Sequence, residues 1–311
     1  MLTPSNELIE NNPNIWIVTV NWNQPLLTQA CVQSLREKNA GQFSLVIVDN
    51  GSTDRSIEVL QDIPASTLIQ NPINLGFAGG FNVGIKYALT QGADYVFIVN
   101  NDTISQDQML DILVTTAIDL MAEIAAPAIF YTSSPNQIWS AGGKINPLLS
   151  APIDSHSRKK PLPTNPERRD FFTGCALLIH KRVFERLGFL DEGFFLYYED
   201  LDFFMRAKNM RLSAWLIPKA KLLHHVSASI AIENTDHFYF WMGYSSCRYF
   251  CKHVKWWQWI FVLPWQFSHT LKMIAHFFFS GRYNALSAHL KGIITFIFKQ
   301  SSSGENNNTM N

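Results

Sequence analysis

Leu45-Val46-Ile47-Val48-Asp49-Asn50-Gly51-Ser52-Thr53-Asp54 is a short apolar run that ends in a carboxylate and a turn. Such a run is too short for a helix and reads as a buried strand over 44–48, closed by the Asn-Gly pair. A short helix over 56–61 is expected next, with Thr53 or Asp54 as its cap. The same alternation extends in both directions. Before it lie a strand over 15–20 and a helix over 25–38 that carries Leu26, Leu27, Ala30, Cys31 and Leu35 on one side. After it come a strand over 67–70, a helix over 81–89, a strand over 95–99 and a helix over 107–121. Strands alternating with helices predict an α/β protein, a mainly parallel sheet flanked by helices. The stretch 151–169, with its prolines and basic cluster, reads as a long loop.

With 311 residues the chain can bury a large core, and 47% hydrophobic against 16% charged residues is rich for a freely soluble protein. The four cysteines are scattered and suggest neither a disulfide framework nor a zinc site; Cys247 and Cys251, one helical turn apart, read as packing. The polar start, residues 1–14, does not resemble a signal peptide, so the expected compartment is the cytoplasm. A net charge of zero conceals an asymmetry: from 237 to 300 there is no Asp or Glu, while Arg248, Lys252, Lys255, Lys272, Arg282, Lys291 and Lys299 are basic and five tryptophans are present. We therefore divide the chain into a lead-in (1–14), a catalytic domain (15–236), a basic aromatic amphipathic helical extension (237–300) and a disordered tail (301–311). The run 256–271 is interrupted by Pro264, Gln266, Ser268 and His269 and falls short of a membrane span. Tyr283, Leu286, Leu290, Ile293, Ile294 and Ile297 recur at helical spacing. A basic, Trp-rich amphipathic segment suits the plane of an anionic membrane surface, the other reading being packing on the body or in a homodimer. No nucleic-acid partner is expected.

In open α/β sheets, ligands bind beyond the carboxyl ends of the strands. Asp49 and Asp102 both fall there, although an acid in that place also serves to cap a turn. Asn100, Asn101 and Asp102 form an oxygen-rich cluster suited to a hard divalent cation whose remaining ligands come from a diphosphate. Asn74-Leu75-Gly76-Phe77-Ala78-Gly79-Gly80-Phe81-Asn82-Val83-Gly84 supplies glycines at a helix start, where backbone N–H groups meet phosphate, but it fits neither a Rossmann fingerprint nor a P-loop. Glu199, Asp200 and Asp202 lie among Phe194, Phe195, Tyr197 and Tyr198. Carboxylates in such surroundings are candidates for a raised pKa and general-base work, or simply complement a helix N-terminus. His224 and His225 follow a strand over 214–217 and offer a further metal ligand.

Taken in order, VTVNWNQ, VIVDNGSTD, NLGFAGGFNVGI, FIVNND, FFTGCALLI, YYEDLDFFMR and HHVSAS resemble glycosyltransferase family two, over about 15–229. The closest likeness is to bacterial rhamnosyltransferase-like members that build surface polysaccharide. The resemblance implies a GT-A fold, an inverting mechanism and Mg²⁺ or Mn²⁺. It also implies a nucleoside-diphosphate sugar donor and a lipid-linked or polysaccharide acceptor, reached from the inner face of the cell membrane. By the resemblance Asp102 is the last acid of the metal triplet, which here reads Asn-Asn-Asp. His224 is the metal-side histidine, with His225 as the other reading. Asp49 reads the base together with Thr19 and Asn21. Asn74, Gly76, Gly79, Asn82 and Asn101 line the donor phosphates and sugar. Asp200 is the catalytic base, with Glu199 beside it. Two rival readings belong to other classes. A nucleotidyltransferase would show a basic, glycine-rich signature after the first strand, where VTVNWNQ has no Lys or Arg. A catalytically silent binding subunit would be separated from an enzyme by donor turnover.

Overall fold

The computed structural model describes residues 13–153, 161–226 and 235–305. The expected alternation is present. β1 (Ile15–Asn21), α1 (Pro25–Lys38), β2 (Ser44–Asp49), α2 (Ser56–Leu60) and β3 (Thr67–Gln70) are followed by α3 (Gly76–Thr90), β4 (Tyr95–Val99), β5 (Thr103–Ser105) and α4 (Met109–Asp119). The chain continues through β6 (Ile124–Tyr131), β7 (Ser134–Ser140), β8 (Lys144–Ile145), β9 (Pro152–Ile153), β10 (Glu167–Arg168), β11 (Ala176–His180), α5 (Lys181–Leu187), α6 (Glu199–Asn209) and β12 (Ala214–His224). Three helices close it: α7 (Thr235–His253), α8 (Trp259–Phe279) and α9 (Tyr283–Glu305).

The main path of the sheet runs β10-β12-β6-β11-β4-β1-β2-β3, with β5 paired to β12 and β7 to β6. β1 pairs in parallel with β2 and β4, β2 with β3, and β12 with β6, whereas β11 lies antiparallel between β4 and β6. Successive residues of β1 serve opposite faces: Trp16 and Val18 join one buried cluster, Ile15 and Ile17 the other. β1, β2 and β4 are covered on both sides, which is why they read as nearly unbroken apolar runs.

Three details depart from the sequence reading. Leu26 is exposed, and α1 buries Thr28, Cys31, Val32, Ser34 and Leu35 instead. α3 begins at Gly76, well ahead of the expected start at Phe81, because its glycines let the helix lie against the sheet. A side chain on Gly84 would run into Val18 and Val48, and one on Gly80 would press on Val20 and Asn50. α9 runs to Glu305, into the tail expected to be disordered, and 306–311 lie outside the described residues. Most of the long loop read at 151–169 is irregular where described; β10 at its end pairs with β12, and 154–160 lie outside the described residues.

The helical extension is joined to the body by more than chain connectivity. Tyr249 and Phe250 of α7 are buried with Ile145, Phe194, Leu201 and Met205, and Tyr249 Oη donates to the Ser150 carbonyl at 2.6 Å. Arg248 and Lys252, counted above with the basic surface, reach Asp191 at 3.2 and 2.6 Å. Lys252 also meets Asp202 at 2.7 Å.

Candidate active site

β2 stops at Asp49 because the DNGS turn consumes its carboxylate. Asp49 Oδ1 accepts from Asn21 Nδ2 at 2.8 Å and Ser52 Oγ at 2.6 Å, and Oδ2 accepts from Ser52 N at 3.0 Å. Three of a carboxylate's roughly four acceptor directions are thus used internally, leaving one for an incoming donor. The network continues sideways: Thr28 Oγ1 donates to Asn21 Oδ1 at 2.8 Å, and Asn101 Nδ2 donates to Thr28 Oγ1 at 3.0 Å. Asp49 and the Asn100–Asp102 turn therefore belong to one hydrogen-bonded edge. Thr19 is fully buried one pleat before Asn21, on the same face of β1, and its hydroxyl finds no protein partner among the described residues.

Asn50 holds the other wall. Its Nδ2 donates to Asn74 Oδ1 and to the Gly76 carbonyl, both at 3.0 Å, and its Oδ1 accepts from Asn71 Nδ2 and Leu75 N. Asn74 Oδ1 in turn accepts from Gly76 N at 2.8 Å. Gly76 has φ +74°, and a Cβ there would collide with the Phe195 carbonyl, which accepts from Phe77 N at 2.8 Å. Only glycine adopts this backbone cheaply. Gly76→Ala is expected to lower stability by about 1–3 kcal/mol, read as a reduced denaturation midpoint, because it combines strain with a backbone clash.

Two expected donor-lining residues are placed elsewhere. Asn82 is buried, with Nδ2 donating to the Leu190 carbonyl and Glu192 Oε1, both at 2.9 Å, and Oδ1 accepting from Leu190 N. It ties α3 to the loop before α6 rather than opening toward a ligand. Gly79 lies inside α3 with its free side against Leu75, a packing position.

The pairing of β5 with β12 sets Thr103 opposite His224 and so brings Asp102 beside that histidine. Asp102 Oδ1 lies 3.1 Å from His224 Nε2, and both side chains are buried. His225 contributes its backbone N–H to the Asp102 carbonyl at 2.8 Å, so the side chain that meets the carboxylate is that of His224. The imidazole is wedged edge-on against Trp139, with ring centroids 4.3 Å apart. One carboxylate and one imidazole converging on a point suit Mn²⁺ or Mg²⁺ with positions left open. No group of three or more His, Cys, Asp or Glu side chains among the described residues could enclose a metal, so a bound ion would draw further ligands from outside this set. Asp102 and His224 fit that role.

A cavity of about 160 Å³ opens on this edge, bounded by Asn50, Asn74, Gly76, Asn101 and Asp102. Trp22, Phe77, Phe195 and His237 are among its other walls. A larger cavity of about 830 Å³ lies at the opposite, amino ends of β1 and β2, against Asn14, Ser44 and Leu45. We assign the chemistry to the smaller one, where the polar groups converge.

Glu199 and Asp200 open α6, after two consecutive tyrosines, Tyr197 and Tyr198, at φ +65° and +68°. Asp200 accepts from Gly174 N at 3.1 Å through Oδ2 and from Leu201 N at 2.7 Å through Oδ1. A Cβ added to Gly174 would press on the ring of Phe77, a cavity wall. Asp200 does not itself line the cavity described above. Burial pushes its carboxyl above the ordinary range despite the two backbone donors. Glu199 is pushed up further, by burial and then by Asp200, and its Oε2 has no hydrogen-bond partner among the described residues. The third acid of the triad behaves in the opposite way. Asp202 is buried between Arg206, Lys252 and His253; burial pushes its carboxyl up, but hydrogen bonds from His253 and Lys252 together with the charges of Arg206 and Lys252 outweigh it and bring it down to about 2.

The sequence reading missed Asn50 and Thr28, the two hubs of the edge, and the cavity walls Trp22 and His237. Asn50 adjoins Asp49 and Trp22 adjoins Asn21, so proximity was the available signal; His237 arrives from a helix far along the chain and left none.

Residues 16–188, more than half of the chain, match the profile of glycosyl transferase family 2. The chain belongs to this family. Among curated proteins this glycosyltransferase is 27% identical to the dTDP-rhamnosyl transferase RfbF of Shigella flexneri over 216 residues, 69% of this chain and 70% of that protein. It is 23% identical to the N-acetylglucosaminyl-diphospho-decaprenol L-rhamnosyltransferase of Mycobacterium tuberculosis over 305 residues, 84% of this chain and 91% of that one. Among solved structures, the mannosyltransferase PcManGT of Pyrobaculum calidifontis, in complex with GDP-Man and Mn²⁺, superposes with a TM-score of 0.56 at 15% identity, over 92% of this glycosyltransferase and 75% of that chain. At that identity the likeness speaks for the fold, which is GT-A.

Proposed function

We propose that this glycosyltransferase is an inverting, metal-dependent hexosyltransferase. It moves a sugar from a nucleoside diphosphate to a lipid-linked or polysaccharide acceptor in cell-surface glycan synthesis, working at the inner face of the membrane. The leading donor is dTDP-L-rhamnose, on the strength of the two rhamnosyltransferase relatives. Galactofuranose and N-acetylglucosamine are the alternative sugars, and a non-catalytic nucleotide-sugar-binding subunit is the alternative role.

The observation that carries the reading is the Asp102–His224 pair at the carboxyl edge of the sheet, beside the wall built on Asn50, Asn74 and Gly76. Mg²⁺ or Mn²⁺ held by Asp102 and His224 would supply charge to offset the departing diphosphate. The chain's own residues do the rest. Asp49, Asn21 and Thr19 face the nucleoside, and Asn101, Asn74 and the Gly76 turn face the phosphates and sugar. Asp200, ionised, takes the acceptor hydroxyl's proton as that oxygen bonds to the anomeric carbon. The bond from that carbon to the diphosphate oxygen breaks, and the nucleoside diphosphate leaves. Attack from the opposite face inverts the anomeric centre. Glu199, with its pKa raised above that of an ordinary carboxyl, keeps its proton more readily and so limits the negative charge opposing ionisation of Asp200.

The test is release of nucleoside diphosphate from a panel of sugar donors with lipid-linked acceptors, followed by NMR of the product's anomeric linkage. One donor consumed, with inverted configuration, supports the proposal. A retained configuration contradicts the mechanism, and donor binding without release across the panel favours the silent subunit.

A further inference from the structure

α7 is the helix that seats the extension on the body, and α9 seats on α7 through a close backbone approach. A Cβ on Gly292 would collide with the Phe240 carbonyl, and one on Gly243 with that of His289. Small residues at such a crossing let two helices touch along their backbones. The buried side of α9 is accordingly Ala285, Ala288 and Phe296, not the large aliphatic residues that made it look amphipathic. Tyr283, Leu290, Ile294 and Ile297 point outward and are exposed. α8 repeats the pattern: Val262 and Phe277 are buried, while Ile260, Leu263, Phe267, Leu271 and Phe278 recur every third or fourth residue (or after two such steps) as an exposed stripe. Phe267 is 72% exposed, and Trp256, in the turn just ahead of α8, is 86% exposed. An apolar surface of this extent marks a contact that the monomer leaves unmade.

Charge decides what covers it. Arg248 and Lys252 are engaged by Asp191, but Lys255, Lys272, Arg282 and Lys291 are exposed among these apolar side chains, and 237–300 contains no acid. A second copy meeting this face about a two-fold axis would set cation against cation with no carboxylate of the same segment to offset them. An anionic lipid surface complements both the charge and the aromatic residues. No helix among the described residues is long and apolar enough to cross a membrane, so an in-plane arrangement is the one that buries the stripe. We propose that the outward faces of α8 and α9 dock in the plane of an anionic lipid surface, with Trp256, Ile260, Phe267 and Leu271 entering the acyl boundary. This surface goes beyond the transfer reaction and stands whether or not the acceptor is lipid-linked.

Flotation of the full-length protein with phosphatidylcholine vesicles, with and without phosphatidylglycerol, tests the proposal. Binding is expected to be about tenfold or more stronger with the anionic lipid and to weaken with salt. The triple variant Ile260→Ser, Phe267→Ser, Leu271→Ser is expected to lose about a hundredfold or more of that binding, since three large apolar side chains no longer enter the bilayer. Its melting transition and its nucleoside-diphosphate binding should match wild type, showing that the body is intact. Trp256→Phe should remove part of the fluorescence blue shift that vesicles induce. Equal binding by the triple variant, or indifference to phosphatidylglycerol, overturns the proposal. So does a triple variant that dissociates from dimer to monomer while its vesicle binding is unchanged, because the face is then a subunit interface.

Discussion

Asp200→Asn is expected to lower transfer by about a hundredfold to ten-thousandfold while the donor's dissociation constant stays close to wild type. The acid sits at the start of α6, where Gly174 N and Leu201 N hold its two oxygens in place. Asparagine keeps the volume but offers one carbonyl oxygen to two backbone donors, at a cost of about 1 kcal/mol of stability. What it removes entirely is the basic lone pair. Because burial raises the Asp200 pKa above 3.8, the acid limb of the wild-type rate profile should lie above that value, and activity should rise as pH increases through it. The variant should lack this limb. Steady-state rates and donor calorimetry over pH check both parts; an equal loss of donor binding and turnover would remove Asp200 from the role of base.

The second large effect concerns stability. Asp202→Ala is expected to destabilise the protein by about 3 kcal/mol, the lower end of the range for breaking a buried ion pair, since Arg206 and Lys252 retain some access to water. His253 and Lys252 come from α7, so the loss should appear as detachment of the extension as well as a lower denaturation midpoint. The pH dependence follows from the sign of the shift. A carboxyl lowered from 3.8 to about 2 gives its full contribution above the unfolded value and loses it as pH falls through about 2. At about 1.4 kcal/mol per pKa unit, that interval should cost wild type about 2 kcal/mol that Asp202→Asn has already forfeited. Urea titrations between about pH 5 and pH 2 decide it. A pH dependence identical in the two proteins would mean that Asp202 is not held as described.

The contrast between these acids explains how far the sequence could be read. Strands such as Ser44–Asp49 and Tyr95–Val99 were legible because a short unbroken apolar run bounded by turn residues fits a strand buried in the sheet. β6 and β11 are not legible in the same way: β6 is an alanine-rich run without strong β propensity, and nothing local to β11 shows that it inserts antiparallel between β4 and β6. At the site, Asp49, Asp102 and Gly76 fall on the expected edge because strand ends locate it. Asn82 sits in the same motif yet is spent on Leu190, a contact more than a hundred residues away that no local pattern encodes. Glu199, Asp200 and Asp202 look alike in sequence, and the Lys252 and His253 side chains arriving from α7, with Arg206 one turn along α6, separate a depressed acid from two raised ones. The apolar spacing of the last helix was legible; Tyr283, Leu290, Ile294 and Ile297 of that pattern are exposed, while Leu286 and Ile293 are half-buried.

The most direct test of the central claim is calorimetric titration of the full-length protein with nucleoside diphosphate in Mn²⁺ and in chelator, for wild type and Asp102→Ala. The account predicts binding that weakens sharply in chelator, and an Asp102→Ala protein whose residual binding is the same with or without metal. Wild-type binding that ignores chelator, or an Asp102→Ala protein that keeps the full metal effect, would contradict it.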